Sequence, residues 1–263
     1  MREHAGMNVA SAAEQLGVNR TRISNMEAGR FGVSEERVRA LAANYSCGDT
    51  AYVDQLVAMA VERGHGWWED YRGKLSAGVL DLAELEHHAV SMRSVQTMHF
   101  PGLLQTEEYA KAVLATAVPA PTAMQLRRRL SQRLKRRDVL DRDAAPQSTF
   151  LIHEAALRVE FGGPKVMRGQ LEHVLESSNR GNVTVRVIPF SAGGFPSAGS
   201  STLYVAGPVP QLDTVQLDAP TGVVMLDAET HLANYRAVLD RTEEMSLDTE
   251  GTRDFIRTLA QQL

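Results

Sequence analysis

Cysteine occurs once in the 263 residues, at Cys47. A single thiol excludes an internal disulfide and any zinc site built on cysteine pairs; in the N-terminal part of the chain it reads as core packing and not as a nucleophile. Aromatic residues make up only 6% of the chain, and both tryptophans are adjacent, Trp67 and Trp68. No apolar run approaches the roughly 20 residues that span a bilayer, and the N-terminus lacks a basic leader followed by an apolar stretch. The chain therefore reads as cytoplasmic, with no membrane role. Excess positive charge is missing too: 28 Lys and Arg face 32 Asp and Glu, a net of −4. Only the distribution of charge, not its sum, can favour a polyanion.

Recognisable enzyme chemistry is also missing. No His-Glu-x-x-His and no Gly-x-Ser-x-Gly occurs, and the loop from Gly193-Gly194 to Gly199 lacks the Lys and following helix of a phosphate-binding loop. Glu84 and His88 share a helical face, which a solvated surface explains more simply than a metal. His153-Glu154 follows an apolar strand, where a polar pair caps the next helix. The chain reads as a non-enzyme with no catalytic residue, cofactor or metal.

What is present begins at Met7. In Met7 to Arg30, MNVASAAEQLGVNRTRISNMEAGR, small and apolar residues fall where two helices crossing at a tight turn require them. Counting from Val9, Ala13 is fifth, where only a small side chain allows close approach. Gly17 is ninth, where a left-handed backbone is cheap for Gly alone. Ala12, Leu16, Val18, Ile23 and Met26 then point inward, leaving Arg20, Thr21, Arg22 and Asn25 outward on the second helix. This is a helix-turn-helix with its reading face exposed.

The segment resembles the phage-repressor-like, xenobiotic-response-element type of helix-turn-helix, whose second helix enters the major groove. The resemblance puts Arg20, Thr21 and Asn25 against base edges, with Asn19 and Arg22 near phosphates and Arg30 just beyond the helix. Arg20 suits guanine O6 and N7, and Asn25 suits adenine N6 and N7, because both present paired groups. Glu27-Ala28-Gly29 fits the class, in which such a Glu pairs with an Arg on the first helix; Arg2 holds the matching place. Val9 stands where the class usually has a phosphate-contacting Gln. Only Arg2 to Ala5 remain of the first helix, so the expectation is that the native product starts upstream of Met1, or that other residues cover Ala12, Leu16, Ile23 and Met26.

Residues 1–46 carry Arg2, Arg20, Arg22, Arg30, Arg37 and Arg39 against Glu3, Glu14, Glu27, Glu35 and Glu36, a net of +1. So weak a headpiece calls for a homodimer on paired half-sites. Ser34 caps a helix through Asn44, and Asp49 starts another to about Glu62. Gly64-His65-Gly66 is the best boundary, giving a DNA-binding domain over 1–63 and a regulatory or partner-binding domain over 67–263.

In the second domain, Asp81 and Glu84 read as a capping box ahead of Leu82, Leu85, Ala89 and Met92. Residues 94–100 read as extended, and Thr106 as a helix cap. Residues 123–142 form a helix with eight Lys and Arg against Asp138 and Asp141, a net of +6. It reads equally as a solvated face or as a surface for a partner or DNA phosphates. Strands follow at 149–153, 183–189, 201–205, 214–217 and 222–226, with a helix over 164–177 and helices again over the last 36 residues. The predicted class is α+β, an all-α headpiece followed by a mixed α/β domain with a roughly five-stranded sheet.

This region resembles the domain of unknown function appended to such headpieces in many actinobacterial regulators. The resemblance rests on Gly66-Trp-Trp-Glu-Asp-Tyr71, Leu85-Glu86, Pro101-Gly-Leu-Leu-Gln-Thr106, His153-Glu-Ala-Ala-Leu-Arg158, Asn182 to Phe190 and Leu232-Ala-Asn-Tyr235. It implies an antitoxin-like regulator that binds double-stranded DNA and a small co-encoded protein. Two functions follow: a transcription factor whose second domain senses a signal, or an interaction protein that sequesters its partner and uses DNA only for autoregulation.

Overall fold

The computed structural model describes residues 1–62, 64–219 and 222–263; Arg63, the expected end of the first domain, lies outside the described residues. The chain divides into two compact units, Met1–His65 and Gly66–Leu263.

The first unit is all helical, with α1 Val9–Gln15, α2 Arg20–Glu27, α3 Glu35–Asn44 and α4 Thr50–Val61. All four helices start the same way. Asn8, Asn19, Ser34 and Asp49 accept a hydrogen bond from the backbone N–H three residues on, satisfying an amide that the helix leaves open. Ala12, Ala13, Ile23, Val38, Ala42, Tyr45, Val53 and Val57 are buried, whereas Leu16 and Met26 are half-buried.

The second unit opens with a 3-10 segment, Trp67–Tyr71, then α5 Ala77–His87, β1 Ser91–Gln96, α6 Glu107–Ala115, α7 Ala123–Arg136, β2 Gln147–His153, α8 Glu154–Arg158, α9 Pro164–Ser177 and β3 Val183–Ile188. Strands β4 Thr202–Ala206, β5 Thr214–Ala219 and β6 Gly222–Leu226 precede α10 Glu229–Glu244 and α11 Thr249–Gln262. Among the described residues six strands form one sheet in the order β3-β2-β1-β4-β5-β6. The neighbours β3-β2-β1 are parallel, and β1-β4-β5-β6 are antiparallel. The α+β class stands, with one strand more than expected. The extra strand is β1, which begins three residues before the predicted extended segment and lies in the middle of the sheet.

Alternation along the strands sends residues to two faces. Met92, Phe150, Ile152, Val185 and Val205 join Tyr109 of α6, Leu171 of α9 and Ile256 of α11 in the larger core. Val95, Leu151, Tyr204 and Val215 meet Leu232 and Leu239 of α10 on the other face. Arg93 of β1 bonds Asp240 at 2.7 Å and Glu243 at 2.9 Å, holding α10 across the strands. A third cluster packs Trp68 on Leu80 and Ala83. A Cβ at Gly66 would lie 2.1 Å from the Trp68 ring, so that ring occupies the space beside the glycine.

Two expectations need correction. Asp81 is not a cap: α5 runs from Ala77 to His87, so Asp81 and Glu84 lie inside it, while Ala89 and Met92, expected at helical spacing with Leu82 and Leu85, fall beyond its end, Met92 in β1. Apolar Val79 and Leu80 extend the helical period one turn upstream. The basic helix stops at Arg136, and a 3-10 turn, Arg137–Leu140, follows.

Polar anchors tie these layers together. Arg136 donates to both carboxylate oxygens of Glu86, at 2.6 and 2.7 Å, with side chains only 10% and 3% exposed. Gln105 donates to Phe100 O and accepts from Arg133, while Gln170 accepts from Thr106 N and donates to Leu104 O. Burial, reinforced by the Arg136 cation, pulls the Arg133 guanidinium down to about 10.

Glu86→Gln should therefore cost about 3 kcal/mol in urea unfolding, because Arg136 keeps a buried charge with no counter-ion, whereas Glu86→Leu with Arg136→Met should recover most of it. Equal stability of Glu86→Gln and the parent would refute the assignment.

Burial holds His153 below its usual range, and burial followed by the Arg137 cation does the same for His173. Both bind protons more readily unfolded, so their contribution is complete above about pH 6.5 and fades as pH falls below it. Replacing both by Gln should flatten the decline in Tm between about pH 7 and 5.5. Parallel Tm profiles for parent and variant would contradict this.

Candidate nucleic-acid interface

The first unit is shaped by how its helices stop. Residues 1–5 make one helical turn, closed by Ala5 N–H on Met1 O at 3.0 Å, and this turn and α1, α2 and α3 all end alike. At each end one residue turns left-handed: Gly6 (φ +66°), Gly17 (+62°), Gly29 (+65°) and Ser46 (+52°). The next N–H then reaches back five residues, from Met7 to Arg2 O, Val18 to Ala13 O, Arg30 to Asn25 O and Cys47 to Ala42 O, at 2.9 to 3.1 Å. Carbonyls that a helix end leaves open are thereby satisfied. A Cβ at Gly17 or Gly29 would meet nothing within 4 Å, so backbone angle and not crowding calls for glycine there.

The stop at Gly29 organises the exposed face of α2. It turns Arg30 back onto Asn25, whose backbone oxygen takes the Arg30 N–H at 2.9 Å and whose Oδ1 takes Arg30 Nη1 at 3.1 Å. The Asn25 amide is thus oriented before any ligand arrives. Two residues upstream of that stop, Glu27 accepts from Arg2 at 2.5 and 3.0 Å, and Arg2 Nη1 also donates to Met7 O at 2.6 Å. This is the Arg2–Glu27 pair anticipated from the sequence; it clamps the leading turn to the end of α2.

Helical spacing of about 100° per residue places Thr21 and Asn25 opposite the buried Ile23, with Arg22 and Ser24 to either side. A groove of about 590 Å³ lies between α2 and the start of α3. Asn19, Thr21, Arg22 and Asn25 line it, with Phe31 and Arg37 on its far wall. Arg20, exposed in the first turn of α2, and Arg30 lie outside that lining. Asn19 has a local task as well, since its Oδ1 caps α2 by accepting from Arg22 N at 2.8 Å. The sequence reading assigns it a phosphate alone and omits Phe31 and Arg37; for Arg37 the signal is the Ser34 cap, which fixes it as the third residue of α3.

Ion pairing sorts the six arginines. Arg2 engages Glu27 and Glu3, and Arg39 engages Glu35 and Asp54. Among the described residues Arg20, Arg22, Arg30 and Arg37 have no carboxylate within ion-pair distance, and all four lie on or beside α2 and its groove. A nearly neutral unit thus presents its uncompensated positive charge where α2 is most exposed, which suits a phosphate backbone.

In the second unit the residues that invited enzyme chemistry have local partners. His153 Nδ1 accepts from Ala155 N at 3.3 Å, and Glu154 bonds Arg158 and Phe190 N. The rings of His87 and His88 lie 5.0 and 6.0 Å from Trp68. No group of metal-ligating side chains occurs among the described residues, and none of their helices is long and apolar enough to cross a membrane.

The fold and the exposed α2 define a DNA-binding regulator of the helix-turn-helix class, and residues 1–53 match the helix-turn-helix domain model. Residues 79–258 match the model of a domain of unknown function, DUF5753. That match covers most of the chain, which belongs to this family. No curated protein and no solved structure matches it.

The four helix stops lead to a paired expectation. Ser46→Gly should stabilise the first unit by about 0.5 to 1 kcal/mol, and Gly17→Ala should destabilise it by about 1 kcal/mol, because only glycine adopts this angle without strain. Amide hydrogen exchange over residues 9–57 reads both, and slower exchange in Gly17→Ala would overturn the account.

Proposed function

We propose that the chain is a sequence-specific transcriptional regulator that reads the major groove through Arg20, Thr21 and Asn25. Asn19, Arg22, Arg30 and Arg37 hold the phosphates beside them. The observation that carries this reading is the segregation of the four unpaired arginines around α2 and its groove. Arg30 has a second task, because its bond to Oδ1 leaves the Asn25 Nδ2 donors free while Oδ1 keeps a second lone pair. That amide can then meet adenine N7 and N6 together. The second unit supplies the regulatory input by binding a small protein partner, and a second copy of the chain supplies the paired headpiece that a palindromic operator requires. Chromatin immunoprecipitation separates a regulator of many genes from a partner-sequestering protein that represses only its own operon, since the latter occupies a single site.

Operator binding tests the residue roles. Arg20→Ala and Asn25→Ala should each cost about 1 to 3 kcal/mol on the specific site and relax preference at one base position. Arg30→Ala should reproduce part of the Asn25→Ala relaxation. Arg22→Ala and Arg37→Ala should weaken all sequences alike and make the salt slope shallower by about one each. Unchanged base preference in both Arg20→Ala and Asn25→Ala would reject the assignment.

A further inference from the structure

The eight cations over residues 123–142 divide sharply in the folded chain. Arg133 meets Gln105 at 2.9 Å, Arg136 meets Glu86, and Lys135 pairs with Asp138 at 2.7 Å. Arg137 reaches His173 at 3.4 Å, and Arg142 caps the carbonyls of His87 and Ala89. Arg127, Arg128 and Arg129 remain, without hydrogen-bond or ion-pair partners among the described residues. Two adjoining depressions, of about 580 and 420 Å³, share Tyr71, Arg127 and Ser131, and Arg128 lines the smaller. The Tyr71 hydroxyl meets Ser131 Oγ at 2.8 Å, bridging the 3-10 segment to α7. Leu130 and Leu134 supply an apolar floor to the larger depression.

From this groove we infer a docking site for an acidic, amphipathic segment of a protein partner, seated along α7 against Tyr71 with its carboxylates on Arg127 and Arg128. The inference rests on the reading of the second unit as partner-binding and locates that contact. Charge complementarity sets the sign of the occupant, and the groove's other residues set its class. Lys74 and Lys135, the latter paired with Asp138, line the same depressions, as do the carboxylates of Asp70 and Glu107. These carboxylates would repel the continuous charge of a nucleic-acid backbone, whereas a peptide can space its own to avoid them. The apolar floor has nothing to offer phosphates but gives a leucine-like anchor a place to bury. Arg129, on the same helix, lines neither depression.

Trp67 packs edge-on against Tyr71 of the groove at 6.0 Å, and Trp68 packs edge-on against Trp67 at 6.1 Å. Intrinsic fluorescence of the full chain therefore reports occupancy. The probe is a synthetic peptide of about 14 residues with Glu and Leu at helical spacing. It is compared with the same peptide carrying Lys for Glu, and with a duplex of about 20 base pairs of random sequence. The acidic peptide should change the emission saturably, and the Lys peptide should not. Arg127→Glu should weaken the acidic peptide about ten-fold or more, while Arg129→Glu, with the same change in net charge, should leave it within about two-fold. Ser131→Phe, which fills the groove without altering charge, should also abolish it. Near-UV circular dichroism verifies that each variant is folded. Equal losses in Arg127→Glu and Arg129→Glu, binding of the Lys peptide, or no saturable response would overturn the proposal. So would a duplex that competes with the peptide in an Arg127-dependent way, which would make the groove a phosphate surface. Operator binding, measured on the same samples and dependent on Arg20 and Asn25, isolates the regulator reading, which stands or falls there independently of the peptide.

Discussion

A short helix must place its last carbonyls somewhere, and the way this chain does so sets the geometry of its first unit. Each left-handed residue at a helix end returns one N–H to a carbonyl five residues back, which fixes the direction in which the chain leaves. At Gly17 that direction sends the chain into α2 across Ala13 and Ile23, both buried. At Gly29 it returns Arg30 to Asn25. The exposed face of α2 therefore depends on two backbone angles. The Arg2–Glu27 pair completes the arrangement by tying the leading turn to α2. Its partially exposed carboxylate makes it a modest contributor to stability, and its chief effect is on where the leading turn lies.

The second unit faces a different constraint, because its sheet changes from parallel to antiparallel at β1. Parallel strands need long crossovers, and these must be anchored where they leave and rejoin the sheet. The anchors are polar. Glu86 at the end of α5, Gln105 and Thr106 in the Pro101–Thr106 turn, and Asn182 before β3 each bond a distant segment: Arg136, Arg133, Gln170 and the Leu140 carbonyl respectively. Glu86, Gln105 and Gln170 are almost wholly buried, so each unmade bond would carry the penalty of a desolvated polar group. Such residues specify one packing of the crossovers where apolar contact alone would allow sliding.

Local rules made much of this legible from the sequence. Ser34, Asp49 and Thr106 are caps in the structure as in the sequence reading, since a cap is decided within four residues. The turn at Gly17 is legible for the same reason. Strand β1 is less so, because in Ser91-Met-Arg-Ser-Val-Gln96 the apolar Met92 and Val95 stand three apart, out of step with a period of two, and the segment is identified as a central strand only by its two neighbours. The Asp81–Glu84 spacing imitates a cap because a capping box is a pattern of two residues, and nothing in those two tells whether a helix is already under way. Asn19 shows the converse: a residue expected from the sequence to have an intermolecular role has a local one, a cap that occupies its Oδ1 and leaves Nδ2 available.

Charge was the least legible property, because pairing is decided in three dimensions. The first 46 residues sum to +1 and residues 123–142 to +6, so counting favours the second segment as the polyanion surface. Folding reverses that order. In the first unit Glu3, Glu27, Glu35 and Asp54 pair with Arg2 and Arg39, outside the groove lining, which leaves four unneutralised arginines around an exposed helix. In the basic helix most of the cations are taken up by Glu86, Asp138, Gln105, His173 and backbone carbonyls, which spend them on holding α7 in place. Three remain, two of them lining depressions that also contain carboxylates and an apolar floor. A surface of that mixture discriminates between anions by their spacing, whereas the α2 face, with no carboxylate paired to its arginines, responds to charge density. The chain thus carries two cationic surfaces of different make-up, and the weaker total belongs to the one whose arginines have no carboxylate paired to them, the arrangement that suits a phosphate backbone.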